Sequence, residues 1–333
     1  MADSRQPTTA PSFADEVELA QVRNFNKKLA WLPRFRIRNR ITPRVIQALL
    51  RLGQMGGERK LLNHGLNAER KVVTAEGMAV PVRIIRPKGN TTGVVLDFHG
   101  GGWVIGNPQM NDDINVTLVN ACNVTVVSVD YRLAVSTPLE AIMQDCLCAA
   151  RWLLDDSEFV GLPVIVTGES AGAHLAAATL LTLKKQSSAF GRISGALLYY
   201  GVYDLTGTAS VRAAPRGTLV LDGPGMVEAL RRLTPGLTDE ERQQPPLSPL
   251  HGDFTGLPPA LMFVGELDPL KDDTLQLAER WAKSAAVEVY ELPSCPHGFI
   301  HFPTPVAGNV LAYSREWINA RIAAVHAQPS RPY

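Results

Sequence analysis

Cysteine is scarce in this 333-residue chain, which holds only Cys122, Cys146, Cys148 and Cys295. Their spacing fits no zinc pattern, and Cys-x-Cys within a helix directs two thiols apart. A disulfide framework and a structural metal are therefore not expected; reduced, mostly buried thiols in a cytoplasmic protein are. Excess charge of either sign is also missing. The 33 Lys+Arg against 32 Asp+Glu leave a formal net charge of +1. Such a chain has no global field for nucleic acid or for an anionic membrane surface. Aromatic residues reach only 7%, too few for a base-stacking surface. No apolar run of about 18 residues occurs, and no apolar stretch follows a basic start at the N-terminus. Neither a membrane span nor a signal peptide is expected.

What is present is a globular composition, 45% hydrophobic and 20% charged, which excludes a wholly disordered chain. At roughly 150 residues per domain the length allows two units, and one large α/β domain with a lid fits equally well. The first dozen residues are polar and Pro-rich, as in a loose tail. From Phe13 to about Leu62 the pattern is helical, interrupted by Pro33 and Pro43. Arg34, Arg36, Arg38, Arg40 and Arg44 alternate there with Phe35, Ile37 and Ile41. Near-neutrality of the whole chain favours the solvated face of a lid over a membrane or nucleic-acid contact.

From Arg70 the character changes. RKVVTA and VPVRIIRP read as an antiparallel pair joined near Gly77. Apolar strands at 94–99, 123–131, 163–168, 193–201, 259–265 and 287–293 then alternate with helices over about 111–121, 138–154, 171–185, 272–284 and 306–326. Strands that are apolar throughout and separated by helices indicate a parallel sheet covered on both faces. Residues 203–258 break the alternation, being Pro/Gly-rich with one helical patch near Met226–Leu233.

The chemistry-bearing residues fall at the ends of these strands. Gly168-Glu169-Ser170-Ala171-Gly172 joins a strand to a helix. A turn this sharp strains its central residue and leaves no room for side chains two positions away, hence the glycines. It exposes the Ser170 hydroxyl at a helix N-terminus, the arrangement called a nucleophile elbow. A serine hydroxyl needs a base. His297 follows the strand VEVYELP, with His301 its local rival; His174 lies one turn along the helix from Ser170 and reads as a packing histidine. The base in turn needs a carboxylate to orient it. Asp268 sits just past the strand PALMFVG, with Glu266 the nearest competitor, while Asp272 and Asp273 read as acids favouring the start of the next helix. The order Ser170, Asp268, His297 is that of the α/β-hydrolases. His99-Gly100-Gly101-Gly102-Trp103 follows the strand VVLDFH. Its glycines let backbone N–H groups turn toward one point, where they can stabilise an oxyanion.

HGGGW (99–103), DYRLA (130–134), GESAG (168–172), DPL (268–270) and HGF (297–299) together resemble the hormone-sensitive-lipase-like branch of the α/β-hydrolases, the bacterial esterases with an HGGG loop. The likeness covers the chain from about Arg70 to Trp317. One departure is visible: Val135-Ser136-Thr137 stand between DYRLA and Pro138, at the pocket rim and away from the triad.

The resemblance implies an α/β-hydrolase fold with a mostly parallel eight-stranded sheet and a helical cap. The cap would comprise residues 1–65 and the insertion 203–258, and the catalytic domain residues 66–202 and 259–333. It implies Ser170 as nucleophile, His297 as base and Asp268 as acid, with the amides of Gly101, Gly102 and Ala171 as oxyanion donors. Asp130, Arg132 and Asp145 would form a structural charge network. No metal and no organic cofactor are implied. Trp103 is expected to limit the substrate space, and Val211, Leu219, Leu221, Met226, Leu230 and Leu233 to shape an acyl pocket.

The resulting expectation is a serine carboxylesterase acting on short- to medium-chain acyl esters. An amidase or arylformamidase using the same triad stays open, as does a non-catalytic receptor of the same fold. The partner is a small-molecule ester, with no nucleic acid and no membrane; a homo-oligomer through the strand 287–293 or the last helix is left open. Because His297 must be neutral to accept a proton, kcat/KM should rise with pH through one ionisation near neutrality. A rate profile flat between about pH 5 and pH 9 would contradict the assignment.

Overall fold

The computed structural model describes residues 12–36 and 41–327. The tail expected at the N-terminus, and Ile37, Arg38 and Arg40, lie outside the described residues, as does the end of the chain. Three helices come first: α1 (Glu16–Leu29), α2 (Ile41–Gly53) and α3 (Gly57–Asn63). Pro43 does not interrupt α2 but sits in its first turn, where a missing N–H costs nothing.

Eight strands follow: β1 (Ala68–Ala75), β2 (Met78–Ile85), β3 (Val94–Phe98), β4 (Thr125–Val129), β5 (Val164–Glu169), β6 (Ile193–Tyr199), β7 (Ala260–Gly265) and β8 (Val287–Leu292). They form one sheet in the order β1-β2-β4-β3-β5-β6-β7-β8. β2 runs antiparallel to β1 and β4; all other pairs are parallel.

Between and after the strands lie α4 (Asp112–Cys122), α5 (Leu139–Asp155), α6 (Ala171–Leu183), α7 (Ala209–Arg212), α8 (Met226–Leu233), α9 (Asp239–Arg242), α10 (Lys271–Trp281) and α11 (Pro305–His326). The insertion 203–258 thus carries three short helices where the sequence pattern gives one patch. α5, α6 and α10 pack on one face of the sheet, and α4, α11 and α1 on the other.

Both faces are therefore dry, and β3, β4, β5 and β7 are buried at every position, with mostly apolar side chains. In β3, Val94, Leu96 and Phe98 join one core and Val95 the other. In β7, Ala260 and Met262 divide from Leu261 and Phe263 in the same way. Charged residues inside such strands need internal partners. Asp97 of β3 has three, accepting from Asn111, Asn115 and Ser128 at 3.1, 3.0 and 2.7 Å.

The N-terminal segment is tied to the insertion. Phe35 bridges Leu221, its N–H donating to the Val220 carbonyl at 2.7 Å. Arg34 donates to the carbonyls of Thr218 and Leu32 at 2.5 and 2.7 Å, and Arg36 pairs with Asp222 at 3.1 Å. Arg36 is exposed, as a solvated face requires, but both arginines do more than face solvent. They fasten two distant segments together. The four cysteines are free and buried.

Candidate active site

The C-terminal ends of β3, β5, β7 and β8 converge on one edge of the sheet, where open parallel sheets place their sites. At the end of β5 the chain reverses into α6 within one residue. Ser170 takes φ 52° and ψ −118°, a conformation that costs a side-chain-bearing residue energy. Its surroundings hold it there. Its N–H donates to the Tyr199 carbonyl at 2.9 Å. A Cβ on Gly168 would lie 2.4 Å from the Gly172 carbonyl oxygen, and one on Gly172 only 1.9 Å from that of Phe98. Both glycines of the pentapeptide are thus required by backbone contact.

The structure brings Ser170, Asp268 and His297 together. His297 Nε2 lies 2.9 Å from Ser170 Oγ, and Nδ1 lies 2.8 Å from Asp268 Oδ2. The other Asp268 oxygen accepts the Leu270 N–H at 2.9 Å, which fixes the carboxylate plane. Both Asp268 and His297 are buried. Glu266, the competing acid, instead accepts the Ser294 N–H at 2.7 Å and shapes the loop that carries His297. Such a constellation can move a proton from hydroxyl to imidazole as the oxygen attacks an electrophile.

Beside it, the loop after β3 turns through Gly101 and Gly102 at φ 107° and 58°. Among the described residues no protein acceptor takes the N–H of Gly101, Gly102 or Ala171. Ala171 opens α6, so its N–H has no partner within the helix. Trp103 has φ 61°, unusual for so large a residue. Its indole N–H donates to His174 Nδ1 at 3.3 Å, and His174 Nε2 donates to the Leu247 carbonyl at 2.8 Å. Burial holds His174 down at about 4, so it is neutral and fit for both bonds.

A cavity of about 270 Å³ opens onto Ser170. Leu221, Met226, Leu230 and Leu233 line it with Trp103 and Phe35. Val211 and Leu219, expected with them, are not in its wall; Val211 packs in the core instead. The structural charge network is also smaller than the resemblance implies. Arg132 grips Asp145 through Nε and Nη2 at 2.8 and 2.7 Å, while Asp130 is exposed and faces the charges of Arg70 and Arg51 instead.

Two acids have roles that the sequence reading misses. Asp273 is fully buried and accepts the Tyr203 N–H, the Asp204 N–H and the Thr208 hydroxyl at 2.6, 3.0 and 2.5 Å. It therefore anchors the insertion to α10, beyond favouring a helix start, and burial pushes it up to about 7. Glu169, beside the serine, is buried as well. It accepts from Gly100 N–H at 3.3 Å, Tyr200 OH at 2.9 Å and His301 Nε2 at 2.7 Å. Burial alone would raise this carboxyl, but the His301 charge and hydrogen bond, with the other donors, outweigh it and hold it at about 2. The same charge raises His301 against the downward pull of burial. The signal was a carboxylate ending a mostly apolar strand, which demands a partner.

A family model described as the alpha/beta hydrolase fold matches residues 95–301. The chain belongs to this family, in its hormone-sensitive-lipase-like branch. It is 31% identical over 294 residues to carboxylesterase NlhH of Mycobacterium tuberculosis, covering 84% of this chain and 89% of that protein. Among solved structures it resembles esterase LipW from Mycobacterium marinum, with a TM-score of 0.80, 26% identity and coverage of 91% and 96% of the two chains. A hormone-sensitive lipase from a metagenome library aligns with a TM-score of 0.75 at 25% identity, over 90% of this chain and 98% of that one.

The Glu169–His301 pair fixes a pH dependence of stability. The depressed carboxyl contributes above the ordinary carboxylate value, and this is lost as pH falls toward about 2. The raised imidazole contributes below its ordinary value and loses this as pH rises through its folded one. Glu169→Gln should therefore destabilise the protein at neutral pH by about 3 kcal/mol. In denaturant titrations the gap from the parent should shrink steadily below about pH 4.

Proposed function

We propose that this protein is a serine carboxylesterase in which Ser170, His297 and Asp268 act as nucleophile, base and acid. The observation that carries the reading is the continuous chain from Ser170 Oγ through His297 to Asp268, with links of 2.9 and 2.8 Å, beneath a cavity whose wall is mostly apolar. The family and its carboxylesterase relatives support ester hydrolysis as the reaction.

As Ser170 Oγ attacks the ester carbonyl, His297 Nε2 takes its proton. Asp268 holds the imidazole in the required tautomer and stabilises its charged form. The carbonyl oxygen becomes an oxyanion against the amides of Gly101, Gly102 and Ala171, donors already unpaired and needing no reorganisation. The imidazolium then protonates the departing alcohol, leaving an acyl-enzyme. A water, activated by the same histidine, releases the acid.

The segment around Phe35, together with the insertion 203–258, makes up the cap over a catalytic domain of 66–202 and 259–333, whereas α1, within the 1–65 expected as cap, packs against α11 on a face of the sheet. The reading is supported by the Phe35–Leu221 bridge and by the apolar side chains that the insertion sends to the cavity. Four free buried thiols are in keeping with a cytoplasmic, reducing setting. Trp103, locked by His174, limits the space beside the oxyanion loop, so the enzyme takes short to medium acyl chains.

Ser170→Ala is expected to abolish both ester turnover and covalent labelling by a fluorophosphonate; a labelled variant would remove Ser170 from the nucleophile's place. Across p-nitrophenyl esters, activity should peak at acyl chains of up to about eight carbons, and broadly, since one methylene is worth roughly 1–3 kcal/mol. A maximum at palmitate would refute the short-chain assignment.

A further inference from the structure

Exposed apolar side chains are unevenly spread over this molecule. Of the fourteen large ones among the described residues, eight fall between Trp31 and Leu62. Scattered exposure of this kind is ordinary, but concentration in one segment marks a contact surface. α2 shows how it arises. At 3.6 residues per turn, Val45, Leu49 and Leu52 share about 60° of the helix circumference. They are 55%, 61% and 63% exposed. The buried side of the helix is nearly opposite and carries Pro43 and Gln47.

The helix cannot roll to hide its apolar side without cost. Gln47 accepts the Gly106 N–H at 2.7 Å and donates to the Gly106 carbonyl at 2.9 Å, both bonds buried. A polar anchor thus points inward and an apolar stripe outward. Arg44 and Arg51, both exposed, flank one border of the stripe; α2 itself contains no acidic residue, and Asp130, after β4, is an acid near Arg51.

We infer that the outward face of α2 docks this protein on an anionic lipid surface, with Val45, Leu49 and Leu52 entering the headgroup boundary and Arg44 and Arg51 meeting the headgroup charge. An apolar stripe bordered by arginine is the pattern of a helix that lies in an interface. At 13 residues α2 is too short to span a bilayer, so the contact is peripheral. A net charge of +1 averages this local patch away, which is why composition argues against it. A second copy is a poorer occupant. Two-fold pairing through the stripe would bring the arginines of one α2 near those of the other, with no acid on either helix.

The face also lies close to the proposed chemistry. Ile46 of α2 lines a cavity that shares Phe35 and Arg36 with the one opening on Ser170. Docking would therefore hold that cavity against a reservoir of lipophilic esters. The docking inference itself does not rest on the esterase reading.

The test is co-sedimentation of the full chain with vesicles of phosphatidylcholine alone or mixed with phosphatidylglycerol. Binding to the mixed vesicles is expected, and little to the neutral ones. Leu49→Glu with Leu52→Glu should abolish it, and Arg44→Glu with Arg51→Glu should weaken it by roughly tenfold or more. Both variants should keep the parent's circular dichroism and its hydrolysis of a soluble short ester. Equal binding to the two vesicle types, or binding that neither variant changes, overturns the proposal. So does a dimer that Leu49→Glu with Leu52→Glu dissociates while no vesicle is bound. A parent protein inactive on the soluble ester would count against the esterase alone and leave the vesicle result standing.

Discussion

Backbone approaches backbone at Gly172 more closely than any other residue type allows. The space a Cβ would need there is occupied by the carbonyls of Phe98 and His99. This contact seats the first turn of α6 directly on the end of β3. It thereby places the strained serine and the glycine loop, which leave from neighbouring strands, at one spot. Everything else at the site is arranged around that junction. The Tyr199 carbonyl takes the Ser170 N–H, and Glu169 reaches over to hold the Gly100 N–H. The loops after β7 and β8 bring in the acid and the imidazole from further along the same edge.

Much of this was legible because each signal was local. A largely apolar strand between helices specifies a sheet covered on both faces; β3 to β8 fall on the six apolar runs, and β1 and β2 on the antiparallel pair read around Gly77. The pentapeptide around Ser170 and the triple glycine declare their turns within a few residues. What was not legible depends on long-range pairing. Nothing near Glu169 in the chain announces His301, and nothing near Asp273 announces the amides of Tyr203 and Asp204. In both cases the clue was negative: a carboxylate placed where water cannot reach. Pro43 misled in the opposite direction, because a proline at the first turn of a helix carries the same letter as one that breaks it.

The arginine-rich stretch after α1 shows how one composition can divide into different jobs. Arg34 is consumed by backbone carbonyls and Arg36 by Asp222, so both serve the joint between the N-terminal segment and the insertion. Arg44 remains at the surface beside an apolar stripe. The distinction lies in which carbonyls and carboxylates the fold carries to each guanidinium, and no count of charges contains it.

The link from Trp103 through His174 to the Leu247 carbonyl reaches from the oxyanion loop into the insertion. The cover over the pocket is therefore also part of the scaffold beneath it. Grafting a foreign insertion onto this body would remove the carbonyl that keeps the histidine's second nitrogen occupied, and with it the support for an indole held at an unfavourable backbone angle. In this chain, an exchange of the whole cover must bring a matching acceptor along, whereas changes confined to α8 leave the scaffold whole.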